Sequence, residues 1–287
     1  MIAVPIRGHR RRARQAATPV RFGWPSRRAL RAALKRTVDV VVAALALVVL
    51  LPLLLTIALL LRLDSPGPVF YRHTRVGLGG RTLRMLKFRK MREDAHGPSL
   101  TLARDARLTR FGAWLAATKL DELPQLWHVL RGEMSLVGPR PESPSYVARF
   151  RADYDVILSV RPGLTGYTQL AFAREGWILD PHDPERHYLT GLLPQKVALD
   201  RLYACRPSLR RDLQILGATI LTLVLRQPVA VDRVTGALKL RRRPPAVKPA
   251  DAVVPDPGRS ASVPGQSYRQ VEGETPAGIR TDGSPRA

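Results

Sequence analysis

The sequence is poor in cysteine and in acidic residues. Its 287 residues include one cysteine, Cys205, so an intramolecular disulfide is excluded, in agreement with a reducing cytoplasm. Only 23 residues are Asp or Glu, whereas 47 are Lys or Arg, which gives a net charge of +24. This imbalance indicates an anionic partner. No nucleic-acid-binding motif accompanies the charge, so we expect a lipid surface and no nucleic acid.

The acidic residues are missing above all from the N-terminal end. Residues 1–36 contain eleven Lys or Arg and no Asp or Glu, whereas residues 226–287 contain eleven basic and six acidic residues. A basic arm ahead of a hydrophobic segment is attracted to anionic headgroups by about 1 kcal/mol per residue near the surface. We therefore predict a disordered arm at the inner leaflet; a solvated arm without a partner is the alternative.

A second absence is that of charge between residues 40 and 61. As a straight helix these 22 residues would extend about 33 Å, enough to cross a bilayer core of roughly 30 Å. Pro52 lies near the middle and predicts a kink, and both flanks are rich in Arg, which places both on the cytoplasmic side. The sequence thus predicts a re-entrant helix over residues 37–63, with a kinked full span as the alternative. A cleaved signal peptide is not expected.

Two adjacent carboxylates, Asp121 and Glu122, are predicted to open an amphipathic helix. Thr118 stands in the capping-box position, and apolar residues follow at helical spacing: Leu120, Leu123, Leu126, Trp127 and Leu130. Unpaired amides at a helix start keep an acid ionised and attract phosphate oxygens. A carboxylate placed there can attack phosphorus or hold a divalent cation on a diphosphate. The plainer interpretation is that acids are simply common at helix N-termini.

The remaining pattern predicts a mainly helical α+β fold. Residues 69–71 and 83–88 read as two strands of a hairpin joined through the glycines of 77–80, with a phosphate cradle as the alternative for those glycines. Helices are predicted over residues 105–118, 146–158, 196–203 and 208–225. The last has one apolar face, which suits either an interfacial helix or a core helix. After residue 227, prolines and glycines predict a disordered tail.

Eight short blocks, in one order between residues 35 and 224, resemble the bacterial sugar transferases, which are monotopic polyprenyl-phosphate phosphoglycosyl transferases. The blocks are Lys35-Arg36-Thr37-Val38-Asp39, Ser65-Pro66-Gly67-Pro68-Val69-Phe70-Tyr71-Arg72, Arg75-Val76-Gly77, Lys87-Phe88-Arg89-Lys90-Met91, Leu108-Thr109-Arg110-Phe111-Gly112, Leu120-Asp121-Glu122-Leu123-Pro124-Gln125-Leu126-Trp127, Met134-Ser135-Leu136-Val137-Gly138-Pro139-Arg140-Pro141 and Arg161-Pro162-Gly163-Leu164-Thr165-Gly166. With a single apolar segment, the chain resembles the short form of the family.

The resemblance implies an enzyme of the bacterial inner membrane whose catalytic face is cytosolic. Such enzymes transfer a phosphosugar from a UDP-sugar to polyprenyl (undecaprenyl) phosphate and release UMP, the first membrane step of exopolysaccharide, lipopolysaccharide or capsule assembly. It further implies that Asp121 forms a covalent phosphosugar intermediate and that Mg²⁺ is bound by Glu122 and Asp121. Two alternatives stay open: direct attack by the lipid phosphate in a ternary complex, and a catalytically impaired basic membrane scaffold.

Further residues are candidates for binding phosphate or donor. Arg140 is held between two prolines and can grip two phosphate oxygens as a planar fork. The others are Arg161, Lys87, Arg89, Arg75, Lys119 and Gln125. The family usually has a basic residue one turn before the acidic pair, where this chain has Ala116-Ala117. Two alternatives are open: Lys119 or Arg110 replaces it, or the acceptor phosphate is held differently. We expect an arm over 1–36, a membrane helix over 37–63, a catalytic domain over 64–226 and a tail over 227–287; a homo-oligomer stays open.

Overall fold

The computed structural model describes residues 27–240 apart from residues 96, 98, 99 and 104. Its longest element is α1, Arg27–Asp64, which continues through Pro52. It is the one helix of the described residues that is long and apolar enough to cross a membrane. The Thr56 hydroxyl donates to the Pro52 carbonyl at 2.8 Å. The predicted disordered arm was wrong for residues 27–36, which are helical; residues 1–26 lie outside the described part, and the re-entrant path of α1 stays a prediction.

The hairpin is confirmed and is longer than predicted. Strands β1, Phe70–Val76, and β2, Thr82–Phe88, pair antiparallel, with Phe70 opposite Phe88. The turn contains a short 3₁₀ segment, Leu78–Gly80, in which Gly79 and Gly80 have positive φ angles that glycine adopts without steric cost. β2 has a buried face, because Leu83, Met85 and Lys87 alternate inward, and Phe88 at the strand end is buried as well.

Asp121 and Glu122 lie in a 3₁₀ turn, which is tighter than the α-helical first turn that the sequence predicted. Helix α2, Arg110–Thr118, is capped by Thr109, whose hydroxyl accepts from the Gly112 amide. The predicted capping role of Thr118 was wrong, because its hydroxyl donates back to the carbonyls of Trp114 and Leu115. Lys119 then adopts a left-handed conformation (φ 61°) that ends α2. A 3₁₀ turn, Leu120–Gln125, and helix α3, Leu126–Arg131, follow.

A short parallel pair that the sequence did not predict carries the next block. Strand β3, Ser135–Val137, pairs with β4, Gly163–Thr165. The backbones approach closely: a Cβ on Gly138 would lie 2.4 Å from the carbonyl oxygen of Arg161, so the site requires glycine. This pairing fixes the chain that leaves β3 toward Arg140.

Small helices complete the domain around β3 and β4. The predicted helix over residues 146–158 is divided in two, because Phe150 is non-helical between the halves. The elements are α4, Pro144–Arg149; α5, Arg151–Ile157; α6, Tyr167–Ala171; α7, Glu175–Ile178; α8, Pro184–His187; a π-helical turn, Tyr188–Leu192; α9, Leu193–Cys205; and α10, Leu209–Leu223. The fold is thus mainly helical, as predicted.

The folded region extends past its predicted end at residue 226. Strands β5, Val229–Val231, and β6, Leu238–Leu240, pair antiparallel, and Val229 joins the core. The tail predicted to start at residue 227 therefore began too early, since residues 227–240 are ordered into this hairpin. The rest of the predicted tail, 241–287, lies outside the described residues.

Helix α1 packs against the domain along both halves of its apolar run. Near its start, Ala43 joins the large core, while Ile57 and Leu61 near its end form a second cluster with Phe88 and Leu115. Polar contacts fix the first end: the Asp39 carboxylate accepts from the Ser135 hydroxyl at 2.7 Å and from the Leu136 amide at 3.1 Å. Many α1 side chains between these points stay exposed, including Val48, Val49 and Leu55.

Candidate active site

The carboxylate of Glu122 is held by two cations. Lys87 Nζ lies 2.8 Å from Glu122 Oε1, and Arg140 forms a fork, with Nη2 2.8 Å from Oε1 and Nη1 3.4 Å from Oε2. Burial by itself would raise the pKa of Glu122, but the charges of Arg140 and Lys87 outweigh it and hold this pKa well below its usual range. Glu122 is therefore an ionised, firmly oriented carboxylate.

Asp121 is more deeply buried but less engaged. Its side chain is 2% exposed, and its ion-pair partner is Lys90, whose Nζ lies 3.4 Å from Oδ2. No hydrogen bond fixes the Asp121 carboxylate among the described contacts, in contrast to the fork on Glu122. A carboxylate with oxygen lone pairs left for other atoms is the one suited to attack an electrophile.

Lys119 places a further cation beside the two acids. Desolvation is the main cause that lowers its pKa, opposed by the negative charges of Glu122 and Asp121. Lys119 as a whole residue is exposed to solvent. Burial likewise lowers the pKa of Lys87, although Glu122 raises it. We call the six charged residues together the dyad site: Lys87, Lys90, Lys119, Asp121, Glu122 and Arg140.

The chain around Arg140 is fixed from behind. Its amide donates to Asp200 Oδ2 at 3.3 Å, and the Thr168 hydroxyl donates to the other Asp200 oxygen. The nearby charge of Glu122 is the main cause that raises the pKa of Arg140. Burial raises the pKa of Asp200 to about 7. Arg140 is thus a permanent cation on a supported loop.

A second group of charges lies behind this loop, centred on Glu142. Its carboxylate contacts Arg75 Nη1 at 3.2 Å, the Tyr188 hydroxyl at 2.8 Å and Lys196 Nζ at 3.5 Å. Lys196 also lies 3.1 Å from Glu175. We call these five residues the rear cluster. The predicted substrate ligand Arg75 belongs to this cluster and also donates to the Ser143 hydroxyl at 2.7 Å.

Three predicted ligands have other surroundings. The guanidinium of Arg89 donates to the carbonyls of Ser65, at 2.8 Å, and of Pro66, just beyond α1. Arg161 Nε donates to the Gly132 carbonyl at 2.9 Å. Gln125 is buried directly after the acidic pair, and its Nε2 has no hydrogen-bond partner in the described structure. Such a donor is satisfied only when a ligand or water oxygen binds it.

Sequence reasoning missed Lys90, Asp200 and the rear cluster. Lys90 lies inside one of the eight family blocks, Lys87-Phe88-Arg89-Lys90-Met91. That block was the feature of the sequence that could have identified Lys90 as a site residue. Strand β2 ends at Phe88, and the chain turns there, so strand alternation does not reveal that Lys87 and Lys90 face the same carboxylates. Asp200 and Lys196 sit on α9, about 60 residues after the loop that they support, and no local pattern reveals contacts of this kind.

The donor set at the dyad site suits Mg²⁺ only with help from substrate. Within the described ranges, no group of three or more His, Cys, Asp or Glu side chains converges on one point. Two carboxylates are nevertheless adjacent, and Mg²⁺ is commonly bound by one or two carboxylates together with substrate phosphates and water. Asp121 and Glu122 therefore fit the protein's share of such a site.

Comparison with known protein families matches residues 30–226 to the model described as bacterial sugar transferase. The chain belongs to this family. The sequence-based prediction of a sugar transferase enzyme is thereby confirmed, and the family matches more than half of the chain. The match runs from the first turns of α1 through α10, so it includes the dyad site and the rear cluster.

Individual relatives agree with the family. The UDP-glucose:undecaprenyl-phosphate glucose-1-phosphate transferase of Caulobacter vibrioides is 42% identical over 203 residues, which cover 66% of this chain and 69% of that protein. The exopolysaccharide production protein PSS of Rhizobium leguminosarum bv. phaseoli is 37% identical over 67% of this chain and 96% of its own length. A relative in Escherichia coli K12 that has the same name as the first is 36% identical, and the matched region spans only 39% of its length.

Proposed function

We propose that this sugar transferase moves a phosphosugar from a UDP-sugar to undecaprenyl phosphate, releasing UMP and leaving undecaprenyl diphosphate sugar. The observation that carries the proposal is the dyad site, where four cations surround two carboxylates. The surplus of positive charge matches the phosphates of donor and acceptor. Relatives of similar sequence are described as transferases of glucose 1-phosphate or N-acetylgalactosamine phosphate to this lipid.

We assign the nucleophile to Asp121. Its carboxylate oxygen attacks the phosphorus that carries the sugar, an O–P bond forms, and the P–O bond to UMP breaks. An oxygen of the lipid phosphate then attacks the same phosphorus, and the bond to Asp121 breaks, which regenerates the carboxylate. The looser contacts of Asp121 support this role, whereas Glu122 is fixed by Lys87 and Arg140.

The cations of the dyad site bind the phosphates. Arg140 presents a planar fork on a supported loop, and Lys87 and Lys90 flank the two carboxylates at 2.8 and 3.4 Å. Asp121 and Glu122 would hold Mg²⁺ together with substrate oxygens. When bound, Mg²⁺ neutralises phosphate charge and so reduces repulsion between the carboxylate and the diphosphate.

We place Lys119 at the acceptor phosphate. Its neighbour Leu120 packs against the cluster that Ile57 and Leu61 of α1 form with Leu115. On α2, Trp114 is 47% exposed and stacks on Phe111. The apolar surface of α1 and α2 therefore leads to Lys119, the side from which a lipid would reach Asp121.

The re-entrant path of α1 stays our proposal for the membrane, with the catalytic domain on the cytoplasmic face. One domain contacts both ends of the apolar run: Lys35 Nζ lies 2.8 Å from Asp212, while Arg89 donates to carbonyls just beyond the other end. A straight span would carry one of these ends across the bilayer. On α10, Leu213, Ile220 and Leu223 are exposed, which favours an interfacial helix over a core helix.

A UMP-release assay tests the function and its mechanism together. Detergent-extracted protein is incubated with a panel of UDP-sugars and Mg²⁺, with EDTA as a control, first without and then with undecaprenyl phosphate. We expect UMP before lipid is added, in an amount near that of the enzyme, and a phosphosugar adduct in the intact mass. Release that requires the lipid, without an adduct, would instead indicate direct attack in a ternary complex. Membrane binding that is steeply salt-dependent, without turnover, would indicate a scaffold.

A further inference from the structure

Helix α7, Glu175–Ile178, carries solvent-accessible side chains that the proposed chemistry does not use. Trp177 is 68% exposed and Ile178 is 45% exposed. The side chain of Glu175 is 24% exposed, whereas its partner Lys196 is 4% exposed. Glu175 therefore lies where the rear cluster reaches the surface.

The position of α7 is fixed from two sides. Lys196 Nζ lies 3.2 and 3.1 Å from the two oxygens of Glu175. On the other side, the Ala103 amide donates to the Gly176 carbonyl at 3.0 Å, and a Cβ on Gly176 would lie 2.9 Å from the Ala103 nitrogen. Close packing thus holds the backbone of α7, and the ion pair holds the Glu175 carboxylate.

The same helix that holds Glu175 also supports Arg140. Lys196 and Asp200 lie one turn apart on α9; the first contacts Glu175 and the second accepts the Arg140 amide at 3.3 Å. The negative charge of Glu175 also contributes to the raised pKa of Arg140. Glu175 therefore lies within electrostatic reach of the guanidinium that Glu122 grips directly.

The chemistry of Glu175 suits an uncharged part of the donor. A carboxylate repels phosphate, and the balance of charge in the rear cluster, two cations to two carboxylates, leaves no surplus for an anion. Carboxylate oxygens accept hydrogen bonds, and the shared cation Lys196 leaves Glu175 with unused lone pairs. Hydroxyl groups of a sugar ring are donors of the matching kind.

We propose that Glu175 is a donor-specificity residue, whose carboxylate accepts hydrogen bonds from hydroxyl groups of a sugar ring of the UDP-sugar, the hexose or the ribose. This inference rests on the proposed function, because it assumes a UDP-sugar donor. It assigns the region of α7 to the hydroxyl-bearing part of the donor and leaves the dyad site to the phosphates.

The test compares Glu175→Gln and Glu175→Ala with Glu185→Gln, a neutralised exposed glutamate of the neighbouring helix α8. Steady-state UMP release gives KM for the UDP-sugar that the wild type uses, and inhibition by UMP is measured alongside. KM for undecaprenyl phosphate and the thermal midpoint are measured for each variant. We expect Glu175→Ala to raise the donor KM about tenfold or more, Glu175→Gln to raise it less, and Glu185→Gln to leave it unchanged.

The two kinetic measurements distinguish the hexose from the ribose. An increase in donor KM with unchanged UMP inhibition supports the hexose, because UMP lacks it, and equal weakening of both supports the ribose. An unchanged donor KM in the folded Gln variant overturns the inference, as does an equal rise in KM for the lipid, which indicates a merely structural role. If wild-type protein releases UMP from no UDP-sugar, the proposed function itself fails, and this inference fails with it.

Discussion

The dyad site and the rear cluster are neighbouring groups of charged residues that differ in the number of cations for each carboxylate. In the rear cluster two cations meet two carboxylates, and the Glu142 carboxylate has three side-chain partners within 3.5 Å. In the dyad site four cations meet two carboxylates, and Asp121 has a single ion-pair partner among the residues that the structure describes. In a balanced buried group no charge is left unpaired, and removal of one member destabilises the fold, whereas a surplus of one sign in a partly buried site favours an incoming ion of the other sign. The difference assigns structural support to the buried part of the rear cluster around Glu142 and phosphate chemistry to the dyad site.

Asp121→Asn should have the largest effect, because it removes the proposed nucleophile while keeping its volume. We expect UMP release to fall by at least about a thousandfold, as for the loss of other catalytic nucleophiles. The thermal midpoint should change little. Asp155→Asn, at an exposed position on α5, is the matched control. Retention of most activity in Asp121→Asn would contradict covalent catalysis. The catalytic role assigned to the dyad site would then be lost.

Lys196→Met tests whether the rear cluster is structural. The substitution leaves two carboxylates near each other without their shared cation, and breaking a buried pair in this way costs about 3–5 kcal/mol. In a domain of this size the thermal midpoint should fall by about 10 °C. Arg201→Met breaks the exposed pair with Asp153 and should lower it by far less. Equal shifts in both variants would contradict the structural role.

Arg140→Lys asks whether the fork matters or only the charge. A lysine keeps the cation but cannot contact both oxygens of Glu122 or of a phosphate in one plane. We expect kcat/KM for UMP release to fall roughly a hundredfold with little change in the thermal midpoint. Arg233→Lys, in the exposed turn between β5 and β6, is the control. Wild-type kinetics in Arg140→Lys would show that charge alone suffices.

Asp200→Asn tests the support behind Arg140 through the pH dependence of the free energy of unfolding. Because burial raises the folded pKa of Asp200 to about 7, above the unfolded value of 3.8, the folded state binds the extra proton between these limits. Stability therefore falls as pH rises from about 4 to about 7. Between pH 5 and pH 8 this contribution is about 2 kcal/mol, and the Asn variant should lack it. Thermal midpoints across this pH range provide the measurement; parallel curves for both proteins would contradict the assignment.

Lys119→Gly should have the smallest effect and the most selective one. Glycine adopts the left-handed conformation of this position without strain, so the variant removes charge and leaves the turn. We expect KM for undecaprenyl phosphate to rise about tenfold, while UMP release before lipid addition is unchanged. Lys119→Arg should behave like the wild type, and Lys239→Ala is a control on β6. A loss confined to the donor half-reaction would move Lys119 away from the acceptor.

Local chemistry made part of this structure predictable. The hairpin followed from alternating apolar residues and a glycine turn, and the family followed from blocks that include most of the dyad site. The capping role of Thr118 failed because Lys119 ends α2 in a left-handed conformation, which a helical pattern does not reveal. Asp200 and the rear cluster were not predicted, because their contacts join segments that are far apart in sequence. Pairing at a distance depends on the folded core and not on any one segment.

The contacts of Arg89 bear on how deeply the end of α1 can lie in a membrane. The last carbonyls of a helix lack partners within it and normally need water. Here one guanidinium supplies donors to the carbonyls of Ser65 and Pro66, directly after Asp64 ends α1. At the exit from the apolar run, these two carbonyls thus have a protein donor in place of water. On the membrane path that we propose for α1, this exit can lie below the level of the lipid headgroups, where water is scarce, and the catalytic face would then lie close to the hydrocarbon boundary.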